Sequence, residues 1–351
     1  MKNTAFLKMA KTSLVLVYLV IIAGATVRMT GSGMGCPDWP KCFGYYIPPT
    51  DVQELTWEAY HEYEKGQVII KDEKLFVAKE TFTSDEMYHP EYWKEYTKHD
   101  YAEFNPMHTW VEYINRLFGA LAGVACFVLG IMSFRFWRTK KSVVAWSWIV
   151  VFLLGFNAWL GATVVYSVLS PVKITTHMIA ALLNVAALIY VIHLAKENHN
   201  YKKYNATFKF FLWISMLLTL IQVGIGTQVR EFVDHQVKAG IGNEFLWLQN
   251  PDVTFYVHRT FSIIVLLVNL YLYLRNKRLN LGFTNLNWVM LLLLLEIGTG
   301  IAMNYFGFPF GSQAAHLVLA AILYGIQFSL ILDSNKKHSS FYREKFQTCI
   351  L

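Results

Sequence analysis

Long apolar runs, separated by short polar stretches, dominate the pattern along this chain of 351 residues. A helix needs about 20 mostly apolar residues to cross the hydrocarbon core of a bilayer. Runs of about that length occur at roughly 10–28, 107–134, 142–168, 172–194, 207–229, 253–274, 285–306 and 310–332. The pattern therefore predicts an all-α membrane protein with eight transmembrane helices.

The first apolar run is predicted to be retained as a membrane helix. Its flank, MKNTAFLKMAK, is basic like that of a signal peptide, but the run is long and no small-residue cleavage site follows it cleanly. The sequence also lacks the Arg- and Ser-rich pattern of an organellar transit peptide. We therefore expect a bacterial plasma membrane.

Composition and charge agree with this interpretation. Hydrophobic residues make up 55% of the chain and charged residues 16%, with a mean hydropathy of +0.33, which is not the composition of a soluble enzyme. Basic segments at 135–141, 196–209, 275–278 and 336–345 alternate with loops poor in Lys and Arg. The positive-inside rule places these segments and both termini in the cytoplasm. The net charge of +7 is therefore not interpreted as a nucleic-acid-binding signal.

The longest polar segment is the predicted outer loop, 29–106. Its part 51–103 carries 14 acidic residues and 6 Lys. This part is aromatic-rich as well as polar, so two interpretations stay open for it, a small folded cap and a disordered segment.

Four cysteines occur in the chain. Cys36 and Cys42 flank the sequence PDWPK near the start of the outer loop. An oxidising exterior favours a disulfide between them, and two free thiols are the alternative. Cys126, within a predicted span, and Cys349, near the C-terminus, are expected to be ordinary thiols.

The chain contains an internal repeat. GATVRMT matches GTQVREF at an offset of 202 residues and YINRLF matches YVHRTF at 143, and ITTHMIAALL resembles SQAAHLVLAA, in which His177 and His316 lie 139 residues apart. The offset shrinks because the first half carries the long outer loop. We therefore predict two duplicated four-helix bundles of the same orientation, an N-terminal half at 1–200 and a C-terminal half at 201–351.

Four equivalent positions of the repeat carry candidate chemistry. Asn115, His177, His258 and His316 each lie about 8–12 Å below the outer start of a helix, at a rise of 1.5 Å per residue. Ionisable groups inside a bilayer are costly and usually functional, and facing imidazoles on bundle helices can hold a haem iron by both axial positions. His258 and His316 are therefore predicted to ligate a haem, with structural histidines or another metal as alternatives.

Four arginines also recur in the repeat. Arg28 and Arg230 end helices 1 and 5 at the outer surface, and Arg116 and Arg259 directly follow the axial positions 115 and 258. Guanidinium groups suit the carboxylates of haem propionates. The alternative is that these side chains only snorkel to the membrane surface.

The residues that recur between the halves resemble the haem A synthase family. The resemblance covers nearly the whole chain and includes AGATVRMTGSGMGCPDWPKC, the EYINR and VHR helix starts and the two later histidines. It implies a membrane enzyme that oxidises a ring methyl of haem O to the formyl group of haem A, for use by terminal oxidases.

The resemblance also implies roles for individual residues. His258 and His316 match the two ligands of a haem b in the C-terminal half. His177 and Glu112 match a histidine and a glutamate near the substrate haem in the N-terminal half, and the outer cysteine pair matches the family's pair. Phe255 stands at the position equivalent to Glu112, so the fold does not require a carboxylate there. A catalytic Glu112 is therefore predicted, with a structural Glu112–Arg116 pair as the alternative.

Asn115 departs from the family pattern, which has a second histidine at this position. Oxygen chemistry at iron requires an open coordination position, so Asn115 can be interpreted as leaving one face of the substrate iron free. Two alternatives stay open. His108, two helical turns nearer the water, can replace the missing ligand, or this half has lost activity.

Two functional hypotheses follow. The first is the haem A synthase-like oxidoreductase, with haem b as its cofactor, haem O as its substrate, and membrane lipids around it. The second is a haem-binding electron-transfer or haem-handling membrane protein without its own catalysis. The sequence identifies neither the electron donor nor the oligomeric state, and it leaves a complex with the haem O-producing enzyme open.

Overall fold

Eight long helices form the body of the protein in a computed structural model that describes residues 2–98, 103–196 and 202–335. The helices are α1 Lys2–Met29, α2 Pro106–Ser133, α3 Lys141–Tyr166, α4 Pro171–Ala195, α5 Ala206–Lys238, α6 Val253–Arg278, α7 Leu286–Tyr305 and α8 Ser312–Asp333. All eight are long and apolar enough to cross a membrane, which confirms the predicted spans. The basic segment 336–345 and Cys349 lie outside the described residues.

Helix ends differ from the predicted spans where polar residues continue a helix beyond its apolar part. The largest difference is in α5, which runs to Lys238 instead of ending near residue 229. Polar caps define several starts, because the first amides of a helix need acceptors. Asn105 accepts from the amides of Met107 and His108 at the start of α2, and Asp252 accepts from the amide of Phe255 at the start of α6.

Each half of the chain closes as a ring of four helices. In the first half α1 packs against α2, α2 against α3, α3 against α4 and α4 against α1, and α5–α8 repeat this order. The halves meet where α1 and α4 pack against α8 and where α4 packs against α5. Bulky apolar side chains fill both rings, among them Phe6, Leu129, Val150 and Leu188 in the first and Leu212, Leu272, Val289 and Tyr324 in the second. Many other apolar side chains point outward, as expected for helices that face lipid.

A small folded cap, defined here as residues 30–98, covers one end of the bundle. Strands β2 Val68–Lys71, β3 Lys74–Ala78 and β5 Trp93–Glu95 form one antiparallel sheet, and β1 Glu62–Tyr63 pairs with β4 Phe82–Thr83. The cap has its own buried apolar side chains, including Phe43, Leu55, Val68, Tyr63 and Trp93. Of the two interpretations of the loop, the folded cap is therefore the right one.

Candidate functional site

The imidazoles of His258 and His316 face each other between α6 and α8. Their ring centroids lie 6.3 Å apart, with the ring planes at 65°. With about 2 Å for each nitrogen–metal bond and roughly 1 Å from the bonded nitrogen to the ring centre, two axial imidazoles across one iron have centroids about 6 Å apart. The spacing of this pair therefore fits a single iron ion between the rings.

All four axial positions lie near the cap end of the bundle, within the first three turns of their helices. Each one sits against a glycine of the preceding helix: Gly24 beside Asn115, Gly161 beside His177, Gly226 beside His258 and Gly300 beside His316. A Cβ at Gly226 would lie 3.1 Å from Cε1 of His258, and one at Gly161 would lie 3.3 Å from Cε1 of His177. Because these glycines lack a side chain, they leave room for the side chains at the predicted axial positions.

Sequence reasoning did not identify Gly161 and Gly300 as parts of the site. The signal was present, because these two glycines are 139 residues apart, the same offset that relates His177 to His316. Gly24 and Gly226 belong to the matched segments GATVRMT and GTQVREF. The repeat therefore includes the glycines that the predicted axial residues contact as well as those residues themselves.

Both predicted axial residues of the N-terminal half carry a buried polar atom without a partner in the described part of the protein. Nδ1 of His177 and Oδ1 of Asn115 are both buried and make no hydrogen bond within the described part of the protein. Buried polar groups in proteins nearly always have a partner. Such orphaned atoms, beside the glycines that make room for them, fit a site that receives a polar or metal-containing ligand.

The C-terminal half surrounds its histidines with additional polar side chains. Nδ1 of His316 lies 2.8 Å from Oε2 of Glu296 and 2.8 Å from the hydroxyl of Thr299. The amide nitrogen of Gln222 donates to the backbone oxygen of His258 at 3.0 Å and lies 3.5 Å from its ring. No catalytic role was assigned to Glu296 from the sequence, because a carboxyl group within a membrane helix can be protonated and merely hydrogen-bonded.

Glu112 turns toward the cap and not toward the axial layer. Its carboxylate is buried, accepts from the amide of Cys36 at 2.9 Å and pairs with Arg116 at 2.5 Å. The structural Glu112–Arg116 pair is thus present in the fold, and a catalytic role for Glu112 remains a prediction.

Arg116 binds the start of the cap through both terminal nitrogens. It donates to the backbone oxygens of Asp38 at 2.8 Å, Lys41 at 2.7 Å and Cys36 at 3.3 Å. The N–H groups of Arg116 therefore already donate to several acceptors within the protein. Fewer of them are free to bind a haem propionate than its position in the sequence indicates.

The loop between Cys36 and Cys42 is closed by a disulfide, as predicted. Inside it, Asp38 accepts from the amides of Phe43 at 2.6 Å and Gly44 at 2.9 Å. Burial raises the pKa of the Asp38 carboxyl, and these two amides together with Arg116 oppose the rise. The loop is therefore held by its own carboxylate as well as by the covalent bond.

His108 belongs to α2, which begins at Pro106. One ring nitrogen of His108, Nδ1, lies 2.9 Å from the hydroxyl of Ser32 at the base of the cap. In this arrangement His108 serves as a contact between helix and cap, two turns away from Asn115.

The remaining arginines occupy two different environments. Arg28 and Arg230 both pair with Asp234, at 3.4 Å and 2.8 Å, in the contact between the halves. Arg230 also donates to Gln313, and the Nε atoms of both arginines are buried and have no hydrogen-bond partner in the part of the chain that the structure describes. Arg259 is exposed beside the rings of Phe255 and Tyr256. Propionate binding by these side chains remains a prediction.

Comparison with known proteins supplies an independent line of inference. The chain matches the family model COX15-CtaA, described as cytochrome oxidase assembly protein, over residues 8–89 and 77–328. It is 23% identical over 321 residues to a heme A synthase of Alkalihalophilus pseudofirmus, covering 88% of this chain and 90% of the relative. It is 26% identical over 335 residues to a heme A synthase of Rhizorhabdus wittichii, covering 88% of each chain.

A further match covers only part of the two proteins. A heme A synthase of Shewanella oneidensis is 26% identical over 183 residues, which is 52% of this chain and 43% of the relative.

Proposed function

Because the chain belongs to the cytochrome oxidase assembly protein family, whose model covers most of its length, we propose that it is a membrane oxidoreductase that makes haem A for terminal oxidases. The resemblance noted in the sequence is confirmed by this family and by relatives named heme A synthase. The reaction implied is the oxidation of a ring methyl of haem O to a formyl group.

The observation that best supports a haem enzyme is the facing pair His258 and His316, 6.3 Å apart between ring centroids. In our proposal these two residues hold a haem b, which supplies one-electron chemistry when bound. Bound through both imidazoles, that haem would have no free coordination position for oxygen. The C-terminal half is therefore proposed to transfer electrons and not to carry out the oxidation itself.

The N-terminal half is proposed to receive haem O as substrate. His177 is the candidate ligand of the substrate iron, and Asn115, which stands where a second histidine would otherwise be, would leave the opposite face of that iron accessible. The unpartnered buried atoms of these two side chains support the proposal. Glu112 would contribute indirectly by holding the disulfide loop over this half, in addition to any part in proton transfer.

We further propose that the protein lies in a bacterial plasma membrane with the cap outside and both termini in the cytoplasm. The end of the bundle opposite the cap carries Arg135, Lys140, Lys141, Arg275, Lys277 and Arg278. Clusters of Lys and Arg in short loops mark the cytoplasmic side. The cap disulfide agrees with an oxidising exterior.

Pigment analysis tests the proposed activity. The full-length protein is expressed together with a source of haem O, and the haems extracted from the purified protein are separated. Haem A or its hydroxylated precursor is expected in the native protein and is expected to be lost in His177→Ala. Extraction of only haem b and haem O from the native protein would contradict the proposal and favour a haem carrier.

A further inference from the structure

We propose that Glu296 is a positioning residue that fixes the orientation of His316 and lowers the reduction potential of the haem held by this histidine. The inference rests on the proposed haem site of the C-terminal half. It adds a residue outside the axial pair that determines how readily the bound iron accepts an electron.

The hydrogen bonds around His316 assign the proton of its ring. The Thr299 hydroxyl lies 3.0 Å from the backbone oxygens of Leu295 and Glu296, which take its proton. Thr299 therefore faces Nδ1 of His316 with its lone pairs, at 2.8 Å. A carboxylate is likewise an acceptor, and Oε2 of Glu296 lies 2.8 Å from the same nitrogen.

With an ionised Glu296 and the Thr299 hydroxyl as acceptors beside it, Nδ1 of His316 is inferred to carry the ring proton. The other ring nitrogen, Nε2, is then the one with a free lone pair for a metal ion. Histidine ligands in metalloproteins commonly donate their second N–H to a carboxylate in this way, which fixes the tautomer and the ring orientation.

Packing alone does not explain a carboxylate at position 296. Its side chain is 13% exposed, and Oε1 is buried and has no hydrogen-bond partner among the described residues. An ionisable side chain within a membrane helix is costly and is usually retained for function. The equivalent position of the repeat holds Asn157, so a neutral side chain of similar shape can occupy this place in a bundle of the same plan.

The two halves also differ in the residues that adjoin the axial positions. Thr299 and Gln222 correspond to Leu160 and Val20 in the N-terminal half at the repeat offsets of 139 and 202. The C-terminal half thus has three polar neighbours where the other half has one. We attribute this difference to control of the haem in the electron-transferring half.

As a consequence, the two histidine ligands are expected to differ in basicity. A carboxylate that accepts from Nδ1 increases the basicity of Nε2, and a more basic ligand stabilises ferric over ferrous iron. Hydrogen bonding around the axial ligand is one of the means by which proteins set haem potentials. Within the described residues, the polar side chain beside the ring of His258 is the amide of Gln222, and no carboxylate pairs with that ring. Glu296 is therefore expected to affect the reduction potential more than Gln222 does.

The test is a spectroelectrochemical titration of the purified full-length protein carrying haem b. Glu296→Gln is expected to keep the low-spin spectrum and to shift the midpoint potential upward. Glu231→Gln makes the same change of charge at an α5 residue that pairs with His235, and it is expected to leave the potential unchanged. His258→Ala and His316→Ala are expected to abolish the low-spin spectrum.

The outcomes separate this proposal from the proposed function. A wild-type potential in Glu296→Gln, with its low-spin haem intact, would overturn the role of Glu296 and leave the haem site standing. A native protein without low-spin haem would overturn the haem site itself. If Glu296→Gln binds no haem, Glu296→Asp decides, because recovery of low-spin haem by the shorter carboxylate supports the proposal and failure of both variants overturns it.

Discussion

At the scale of single residues, one position of the repeat carries chemically different side chains in the two halves. His258 offers an imidazole where Asn115 offers an amide, although both lie against a glycine of the preceding helix. An electron-transferring iron benefits from two strong ligands, whereas an iron that must meet oxygen needs one free face. The difference between the halves at this position fits the proposed division of roles, although the family pattern has a histidine at both positions.

Asn115 and His108 give the sharpest test at this scale. Asn115→His is expected to add a strong ligand, to make the N-terminal haem six-coordinate and low-spin, and to reduce haem A yield. If displacing the added ligand costs about 1.4 kcal/mol, the reduction is roughly tenfold. Haem spectra and pigment yield measure both effects.

His108→Ala is the matched variant. In the structure His108 contacts Ser32, so its removal is expected to leave the haem spectrum nearly unchanged. A damaged N-terminal haem signal in His108→Ala, together with tolerance of or rescue by Asn115→His, would show instead that His108 is the ligand.

At the scale of elements, the start of α2 and the cap form one connected unit. Glu112 and Arg116 reach from the second and third turns of α2 to backbone atoms of the disulfide loop, and the Thr109 hydroxyl donates to the backbone oxygen of Gly35 at 2.7 Å. The bonds of Glu112 and Thr109 are buried and those of Arg116 are partly buried, and losing a buried one leaves an unpaired polar group that costs about 1–3 kcal/mol. The cap is therefore held over the N-terminal half.

Thiol labelling tests the covalent part of this unit. In denatured, unreduced protein only Cys126 and Cys349 are expected to react, because the disulfide protects Cys36 and Cys42. Mass spectrometry of the labelled chain counts the modified thiols. Cys36→Ser is the control, since it should release Cys42 and raise the count from two to three. Labelling of all four thiols in the native protein would contradict the bridge.

At the scale of the whole molecule, two bundles meet along α1, α4, α5 and α8. Asp234 joins them at the cap end, because it pairs with Arg28 of the first half and Arg230 of the second. The hydroxyls of Thr175 and Thr227 add a contact of 2.9 Å between α4 and α5. The contact between the halves thus combines apolar packing with one shared carboxylate.

Asp234→Asn is expected to lower the stability of the protein in detergent, by on the order of 1–3 kcal/mol. Two partly buried guanidinium groups would lose their shared counter-charge. Thermal unfolding, followed by circular dichroism, measures the effect. Glu231→Gln on the same helix is the control and is expected to change stability by less than about 0.5 kcal/mol. Equal melting temperatures for the two variants would show that Asp234 does not join the halves.

The sequence by itself determined the eight helices, the repeat and the layer of axial positions. Apolar runs of membrane length define helices without reference to their neighbours, and depth along a helix depends only on residue count. The same reasoning placed Asn115, His177, His258 and His316 at one level. The disulfide was predictable because its two cysteines are close in sequence and lie in a loop that is predicted to face an oxidising exterior.

Only the tertiary structure decided which side chains meet. The rotation of each helix sets Glu296 against His316 and turns Glu112 toward the cap, and the contact between the bundles brings Arg28 to Asp234 across 206 residues. The cap likewise depends on strands that pair across turns and loops. These contacts join residues far apart in the chain, and their geometry depends on packing that the local pattern of apolar and polar positions does not contain.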